Sequence, residues 1–521
     1  MKLNPKLEVV IVITLYLFTL YLWSLPYQNN KMPYGEVDAG SHFGIGDYMA
    51  TTDKPITTLP YFLDVRYGTD NQFKNHVLWY APPYHVNFAI MQIIGNERIL
   101  PIFLFNTILC SIIVLITYFI MRKLFGFWPA LLSSFLLIFS ARDIMVYLFG
   151  QWPQQIAYFY TPLILYVFYK YTKSYLEKKE KSVYIYILSV LLSINFFFHP
   201  MAFFHTILAL FIFTILLFIK ERKLIFNIKS MLIAIILFLL IIAIFPYQTG
   251  NVYVNIVGGK SSTNPYTGDF SRFFHWFGMY DFYKGRQPDE YFSYSAMDKI
   301  WTLPLLLLGI LFLLIRRRKK DLLLLSYLIG TYLMIHLIFL GIGRPERSLA
   351  ASAHIFYSLI ALGLLAIPIL LGKINSNLKK NIKYILIILF FIFIFLYNYK
   401  PAYNQLKDAY KGIIRVTPYQ YQAALWIKDN LPENSNILAM GTIMTQKTRW
   451  LRYISQHYMY DEGDIIPTHI MLDYSDLVLL QNDQRFKEKL DELKKYEQDN
   501  LQNKTLLYDI NNIRVYSLEN K

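Results

Sequence analysis

Residues 35–47 gather Asp38, His42 and Asp47 beside Gly35, Gly40, Gly44 and Gly46. Asp38 and His42 are four apart, so one helical turn would set them on one face. The glycines favour the alternative of a solvated loop with turns. The chemistry such a set can do is proton transfer, with a carboxylate as general base and an imidazole beside it. Other polar groups recur next to apolar runs: Arg142-Asp143, Gly150-Gln151-Trp152-Pro153, His199-Pro200, His205, Tyr80-Ala-Pro-Pro-Tyr-His85, and the trio Arg344, Arg347 and His354. Ionisable groups beside hydrocarbon are expensive and usually face a cavity or one another. Each also has a plainer reading: Arg142 with Asp143 as an ion pair, His199 and His205 as packed histidines, Arg344 and Arg347 as arginines snorkelling to headgroups. Together they describe a polar cavity open at one face and walled by apolar helices.

The elements that must hold these groups are membrane helices. The 521 residues are 55% hydrophobic and 17% aromatic, and apolar runs of bilayer length recur. The expected spans are 7–25, 99–121, 127–146, 155–172, 182–199, 201–219, 230–247, 301–315, 321–342, 351–371 and 383–399, about eleven in all. The first is longer than a signal-peptide core and ends in Leu-Pro-Tyr, so it reads as a retained span. The fold class expected is mainly α: a polytopic helix bundle with a small C-terminal outer α/β domain.

Charge sets the orientation. With the N-terminus inside, the inner segments hold 22 of the 51 lysines and arginines and only four of the 35 acids. The formal charge of +16 is therefore a positive-inside signature, not a nucleic-acid footprint. Arg316-Arg-Arg-Lys-Lys320 reads as an inner-leaflet anchor. The expected location is the plasma membrane, multi-pass, with a cytoplasmic N-terminus and an extracytoplasmic C-terminal domain. One cysteine, Cys110, lies inside a span and rules out an intramolecular disulfide.

The long polar segments, 26–98, 248–300 and 400–521, all fall outside. The expected domains are 1–399, transmembrane and containing the first two segments, and 400–521. In the last, Thr417–Asn430 reads as a helix capped by Thr417 with Pro418 in its first turn. Residues 437–440, 477–480, 505–508 and 513–516 read as strands, and 484–500 as a charged helix. Asn503-Lys-Thr505 matches a glycosylation acceptor pattern. In 248–300, Arg272, His275, Trp276 and Asp281 lie among aromatics, suited to sugar stacking, to a lid, or to membrane-interface packing.

A carboxylate near low-dielectric walls holds a proton well enough to act as base. Arginines at headgroup depth hold phosphate bidentately. The pair suits transfer of a group carried on a lipid phosphate. The departing phosphate needs neutralising cations more than a proton donor. One base and one displacement would invert the sugar's anomeric carbon.

This layout resembles the GT-C superfamily of integral-membrane glycosyltransferases, which includes the protein O-mannosyltransferases, the aminoarabinose transferases of lipid A and the oligosaccharyltransferase catalytic subunit. Asp38 follows the first span as their first acidic site does. Tyr80–His85 is similar to a Tyr-Pro-Pro-x-x-His lead-in to the second span. Arg142-Asp143 and Gly150–Pro153 stand where members carry a second acidic site. Ala424-Leu-Trp-Ile-Lys-Asp-Asn-Leu-Pro-Glu433 and Ile513–Leu518 resemble their outer domain. Two departures stand out: Asp38 precedes Ala39 where many members have Asp-Glu, and the outer domain has no Trp-Trp-Asp signature. The resemblance implies a sugar donor on a polyprenyl phosphate, a protein, glycolipid or glycan acceptor, and Asp38 as base. His42, Asp47 and Asp143 would support it, Arg344 and Arg347 would hold the donor phosphate, and His85, Gln151, His199, Arg272, His275 and Trp276 would contact sugar or acceptor. Asp38, Asp47 and Asp143 could share a divalent cation, Mg or Mn, though no spacing rule demands one. The competing expectations are a multi-pass transporter or lipid flippase, and an inactive scaffold of the same fold.

Overall fold

The structure, a computed structural model, describes residues 4–28, 31–33, 37–52, 60–63, 82–244, 300–336, 352–371, 376–409, 415–443, 445–461 and 465–519. Two compact units divide the chain. The first comprises 1–23, 107–147 and 152–406; the second comprises 24–106, 148–151 and 407–521.

The helices in chain order are α1 Pro5–Trp23, α2 Val37–Thr51, α3 Pro82–Gly95, α4 Leu100–Leu124, α5 Phe127–Ile138, α6 Ala141–Leu148, α7 Trp152–Leu176, α8 Val183–Phe198, α9 Pro200–Glu221, α10 Ile228–Ile242, α11 Leu303–Arg316, α12 Lys319–His336, α13 Ala353–Leu371 and α14 Ser376–Asp408. Each expected apolar run falls on one of these, or on the α5–α6 pair, which bends by 46°. By length and apolar composition alone, four described helices suffice to cross a bilayer, or five with the bent pair counted as one. Helices α8, α10 and α11 are apolar but only 16, 15 and 14 residues long. A rise of 1.5 Å per residue makes them shorter than a hydrocarbon core of about 30 Å.

Local chemistry sets the helix ends. His199 is extended and Pro200 opens α9, where its missing N–H is no loss. Arg222 and Arg317 close α9 and α11 in left-handed conformations. Asn227 caps α10 by accepting from the Lys229 N–H. Helices α11 and α13 meet backbone to backbone: a Cβ on Gly309 would lie 2.0 Å from the Leu359 carbonyl oxygen. Membrane helices associate through such small residues, because lipid gives apolar side chains no reason to prefer one another. The basic run, expected as an inner-leaflet anchor, also makes ion pairs within the helical unit. Arg316 pairs with Asp321 and stacks over Phe312, and Lys319 pairs with Glu221 at 2.9 Å.

The C-terminal part of the second unit is α15 Pro418–Asn430, β1 Asn436–Met440, α16 Thr445–Ser455, β2 Tyr458–Tyr460, β3 His469–Asp473, α17 Ser475–Leu479, α18 Gln484–Asn500, β4 Thr505–Ile510 and β5 Ile513–Ser517. The sheet order is β2-β1-β3-β5-β4, with β1 parallel to β2 and β3, and β5 antiparallel to β3 and β4. Thr417 and Gln420 form a reciprocal capping box at α15. Residues 477–480 were expected as a strand; they belong to α17 and the turn after it. Leu477 packs with Ile470, Leu472, Leu490 and Leu493 in the core. A short apolar run cannot by itself tell a strand from a buried helical turn.

Candidate functional site

The glycine-rich stretch is a helix, not a loop. Asp38 lies in the first turn of α2, half-buried, where a carboxylate suits the positive end of the helix dipole. His42 is one turn on and 1% exposed. The glycines serve packing instead of turns. A Cβ on Gly40 would lie 3.0 Å from the Tyr453 ring, one on Gly44 2.7 Å from Leu63, and one on Gly46 2.5 Å from Phe88. Each glycine costs a helix about 1 kcal/mol against alanine, which tertiary contact here outweighs. Gly150 has φ +74°, and a Cβ there would lie 2.4 Å from the Ala39 nitrogen. The Gly150-Gln151 turn is thus seated directly on the backbone beside Asp38.

His42 Nδ1 and His85 Nε2 are 2.9 Å apart, and the rings overlap at 5.2 Å with 28° between planes. One nitrogen must donate and the other accept, so the bond requires at least one neutral ring. Helix α3 supplies His85 and, beside it, Tyr84, whose hydroxyl donates to Asn106 Oδ1 at 2.5 Å. The Tyr84 ring stands nearly perpendicular to both histidine rings.

Asp47 is fully buried and holds four side-chain hydrogen bonds. Arg98 donates Nε to Oδ1 at 2.8 Å and Nη2 to Oδ2 at 2.5 Å. Gln92 donates to Oδ1 at 3.1 Å and Gln456 to Oδ2 at 2.8 Å. Arg98 Nη2 also donates to the Ile454 carbonyl, and the Ser41 and Tyr453 hydroxyls lie 3.0 Å apart. Phe43 packs on Trp450. Helix α16 thereby holds α2 along its length. Sequence reasoning missed Arg98, Gln92, Tyr453 and Gln456, because nothing local marks partners that lie 45 to 412 residues away. With both oxygens of Asp47 committed, it offers no site to a shared cation. Among the described residues no three His, Cys, Asp or Glu side chains gather as a metal-binding group.

The first unit carries the other expected residues. Arg142 and Asp143 are fully buried on α6. The Arg142 guanidinium lies 4.7 Å from the Phe356 ring centre, and Gln155 donates to Asp143 through its backbone carbonyl at 3.1 Å and Oδ1 at 3.4 Å. His199 is buried at the start of α9. His205 meets Thr331 at 3.2 Å, and His354 meets the Tyr327 hydroxyl at 2.7 Å. Arg272, His275, Trp276, Arg344 and Arg347 lie outside the described residues.

Solved structures of similar fold set the class. The archaeal oligosaccharyltransferase AglB from Archaeoglobus fulgidus, in complex with an inhibitory peptide and a dolichol-phosphate, matches with a TM-score of 0.59 at 12% identity, covering 100% of this chain and 75% of that one. ArnT from Cupriavidus metallidurans matches in the apo state with a TM-score of 0.57 at 10% identity, covering 98% and 97%. Bound to undecaprenyl phosphate, it matches with a TM-score of 0.54 at 10% identity, covering 99% and 98%. The chain has the GT-C fold and is a multi-pass membrane protein. By sequence it belongs to DUF6541, a family of unknown function, whose pattern matches residues 80–438. No curated protein matches the chain in sequence.

Proposed function

We propose that this protein transfers a sugar from a polyprenyl-phosphate donor to an acceptor hydroxyl at the extracytoplasmic face of the membrane. The observation that carries the reading is α2: a half-buried Asp38 one turn from the buried His42–His85 pair, on a helix fixed by α16. The similar structures support it, since one was solved with dolichol-phosphate and another with undecaprenyl phosphate.

In this reading Asp38 takes the proton of the acceptor hydroxyl as its oxygen attacks the anomeric carbon. The bond from that carbon to the phosphate oxygen breaks, and the lipid phosphate leaves as an anion with both bonding electrons. Arg344 and Arg347 neutralise it. A single displacement inverts the anomeric centre. The His42–His85 pair holds its face of α2 against α3, and Gln151, His85 and His199 contact sugar or acceptor. Arg272, His275 and Trp276 would complete the sugar contacts. Asp143 lies close enough to Tyr327 to act on it electrostatically, and a supporting role for it is part of the same proposal. Asp47 acts as an anchor. No step runs through a cation.

The test is release of free polyprenyl phosphate from a mixture of polyprenyl-phosphate sugars by purified wild type and Asp38→Asn. Release by wild type alone supports the reaction and the base. Equal release by both removes Asp38 from that role. No release by folded wild type across varied acceptors rejects the reaction.

A further inference from the structure

Arg98 keeps one nitrogen out of the Asp47 clamp. Its Nε and Nη2 serve Asp47 and the Ile454 carbonyl, whereas Nη1 is buried and, among the described residues, meets no acceptor in good hydrogen-bond geometry. Gln92 shows the same on the acceptor side. It is 6% exposed, its Nε2 donates to Asp47 and to the Arg98 carbonyl, and its Oε1 is buried with no partner among the described residues. A buried donor and a buried acceptor, each left open on a residue of the Asp47 clamp, are a cost that a bound ligand would remove.

Helix α15 brings two more groups to this point. Lys428 and Tyr421 are half-buried; both interact electrostatically with Arg98, and the Tyr421 hydroxyl also borders the guanidinium within loose hydrogen-bonding reach. Burial, and next the Arg98 charge, hold the Lys428 ammonium below the usual lysine value. The carboxylates in range are Asp47, Asp429 and Glu97. Asp47 already has four donors, Asp429 is exposed, and Glu97 is half-exposed. A guanidinium N–H, an ammonium and a phenol O–H are a donor set for an oxyanion. The open Gln92 carbonyl calls for a hydroxyl on the same ligand.

We propose that Arg98, Lys428 and Tyr421 bind an anionic group, a phosphate or carboxylate, with Gln92 Oε1 accepting from a neighbouring hydroxyl. Asp38 and Asp47 stand nine residues apart on α2, about 14 Å at 1.5 Å per residue. If the sugar-transfer reading holds, the acceptor carries its negative charge about that far from the hydroxyl that reacts. That assignment rests on the transfer reading; the anion site does not. An anionic lipid headgroup offers the same chemistry.

The test is binding by the full-length protein in phosphatidylcholine nanodiscs, titrated with inorganic phosphate and with glycerol phosphate, and followed by calorimetry and thermal unfolding. Saturable binding is expected. Lys428→Gln should weaken it about tenfold or more, the scale of one charge-assisted hydrogen bond. Tyr421→Phe should weaken it a few-fold, and Lys489→Gln, exposed on α18, should leave it unchanged. No binding, or equal binding by wild type and Lys428→Gln, overturns the site. If Lys428→Gln does not fold, Tyr421→Phe decides, and an unchanged affinity in it overturns the site. Binding that survives in phosphatidylglycerol nanodiscs assigns the site to an acceptor-borne or soluble anion; binding lost there assigns it to a headgroup. Neither readout depends on sugar transfer, so this proposal and the transfer reading fail separately.

Discussion

Asp47 receives the Arg98 guanidinium edge-on, two nitrogens to two oxygens, and the carboxylate is fully buried while the Arg98 side chain as a whole keeps 21% of its surface exposed. The pair sits toward the end of α2 opposite Asp38. It joins α2 to the segment before α4 and, through Gln456 and the Ile454 carbonyl, to the C-terminal part of the chain.

Removing one partner leaves the other buried and uncompensated. Asp47→Ala should therefore destabilise the second unit by about 3 kcal/mol, the low end for a buried pair because Arg98 is partly wet. Asp47→Ala with Arg98→Met should recover part of the loss. Denaturant unfolding followed by tryptophan fluorescence checks both, since Trp450 packs on Phe43 of α2. A double variant no more stable than the single would show that the charges are not the coupled elements.

Gly44→Ala places a methyl 2.7 Å from Leu63 and 3.0 Å from Tyr453. Overpacking of this kind costs about 1–3 kcal/mol. Leu63→Ala in the same chain should give back much of it by opening the space. Melting temperatures of the single and double variants decide. Additive losses would mean that the close approach at Leu63 does not limit this position.

Much of the fold was legible because lipid forces it. A helix is the one open-ended way to satisfy a backbone in hydrocarbon, so apolar runs such as 201–219 mapped directly onto α9. The Thr417 cap was legible because it is local. What failed was non-local. The glycines of α2 look like turn residues until Tyr453, Leu63 and Phe88 arrive, and β2 and β3 took no part in the expected sheet. Strand β3 is buried along its whole length, so it lacks the alternation that marks a strand with one wet face. Asp38, His42 and His85 could be chosen from sequence, but Arg98 could not, since a lone arginine before a span reads as a headgroup contact.

The C-terminal part should lose stability on mild acidification through His469. Burial lowers this imidazole's proton affinity below its ordinary value of 6.5, with His457 acting in the same direction and Glu519 against it. Below about pH 6.5 the unfolded chain takes up a proton that the folded chain resists, so stability falls as pH drops. Asp473 works in reverse. Burial raises its proton affinity above the ordinary value of 3.8, so it favours the fold as pH falls toward that range. Comparing wild type with His469→Gln between about pH 7.5 and 5.5 isolates the histidine. A wild-type slope no steeper than the variant's would remove His469 as its source.

The sharpest prediction for catalysis concerns His42 and His85. Their bond needs one ring to donate and the other to accept, so it joins α2 to α3 only while at least one ring is neutral. His85→Ala leaves the buried His42 Nδ1 without this partner, which costs about 1–3 kcal/mol and frees the face of α2 nearest Asp38. Asparagine can offer both a donor and an acceptor at that depth, so His85→Asn should restore stability. If the pair only braces α2, His85→Asn should restore sugar transfer as well. If His85 contacts the sugar or acceptor, His85→Asn should recover the fold while turnover or acceptor KM stays impaired. Melting temperature and steady-state transfer, measured on both variants, separate the two. Full transfer by His85→Ala would remove the pair from the site altogether.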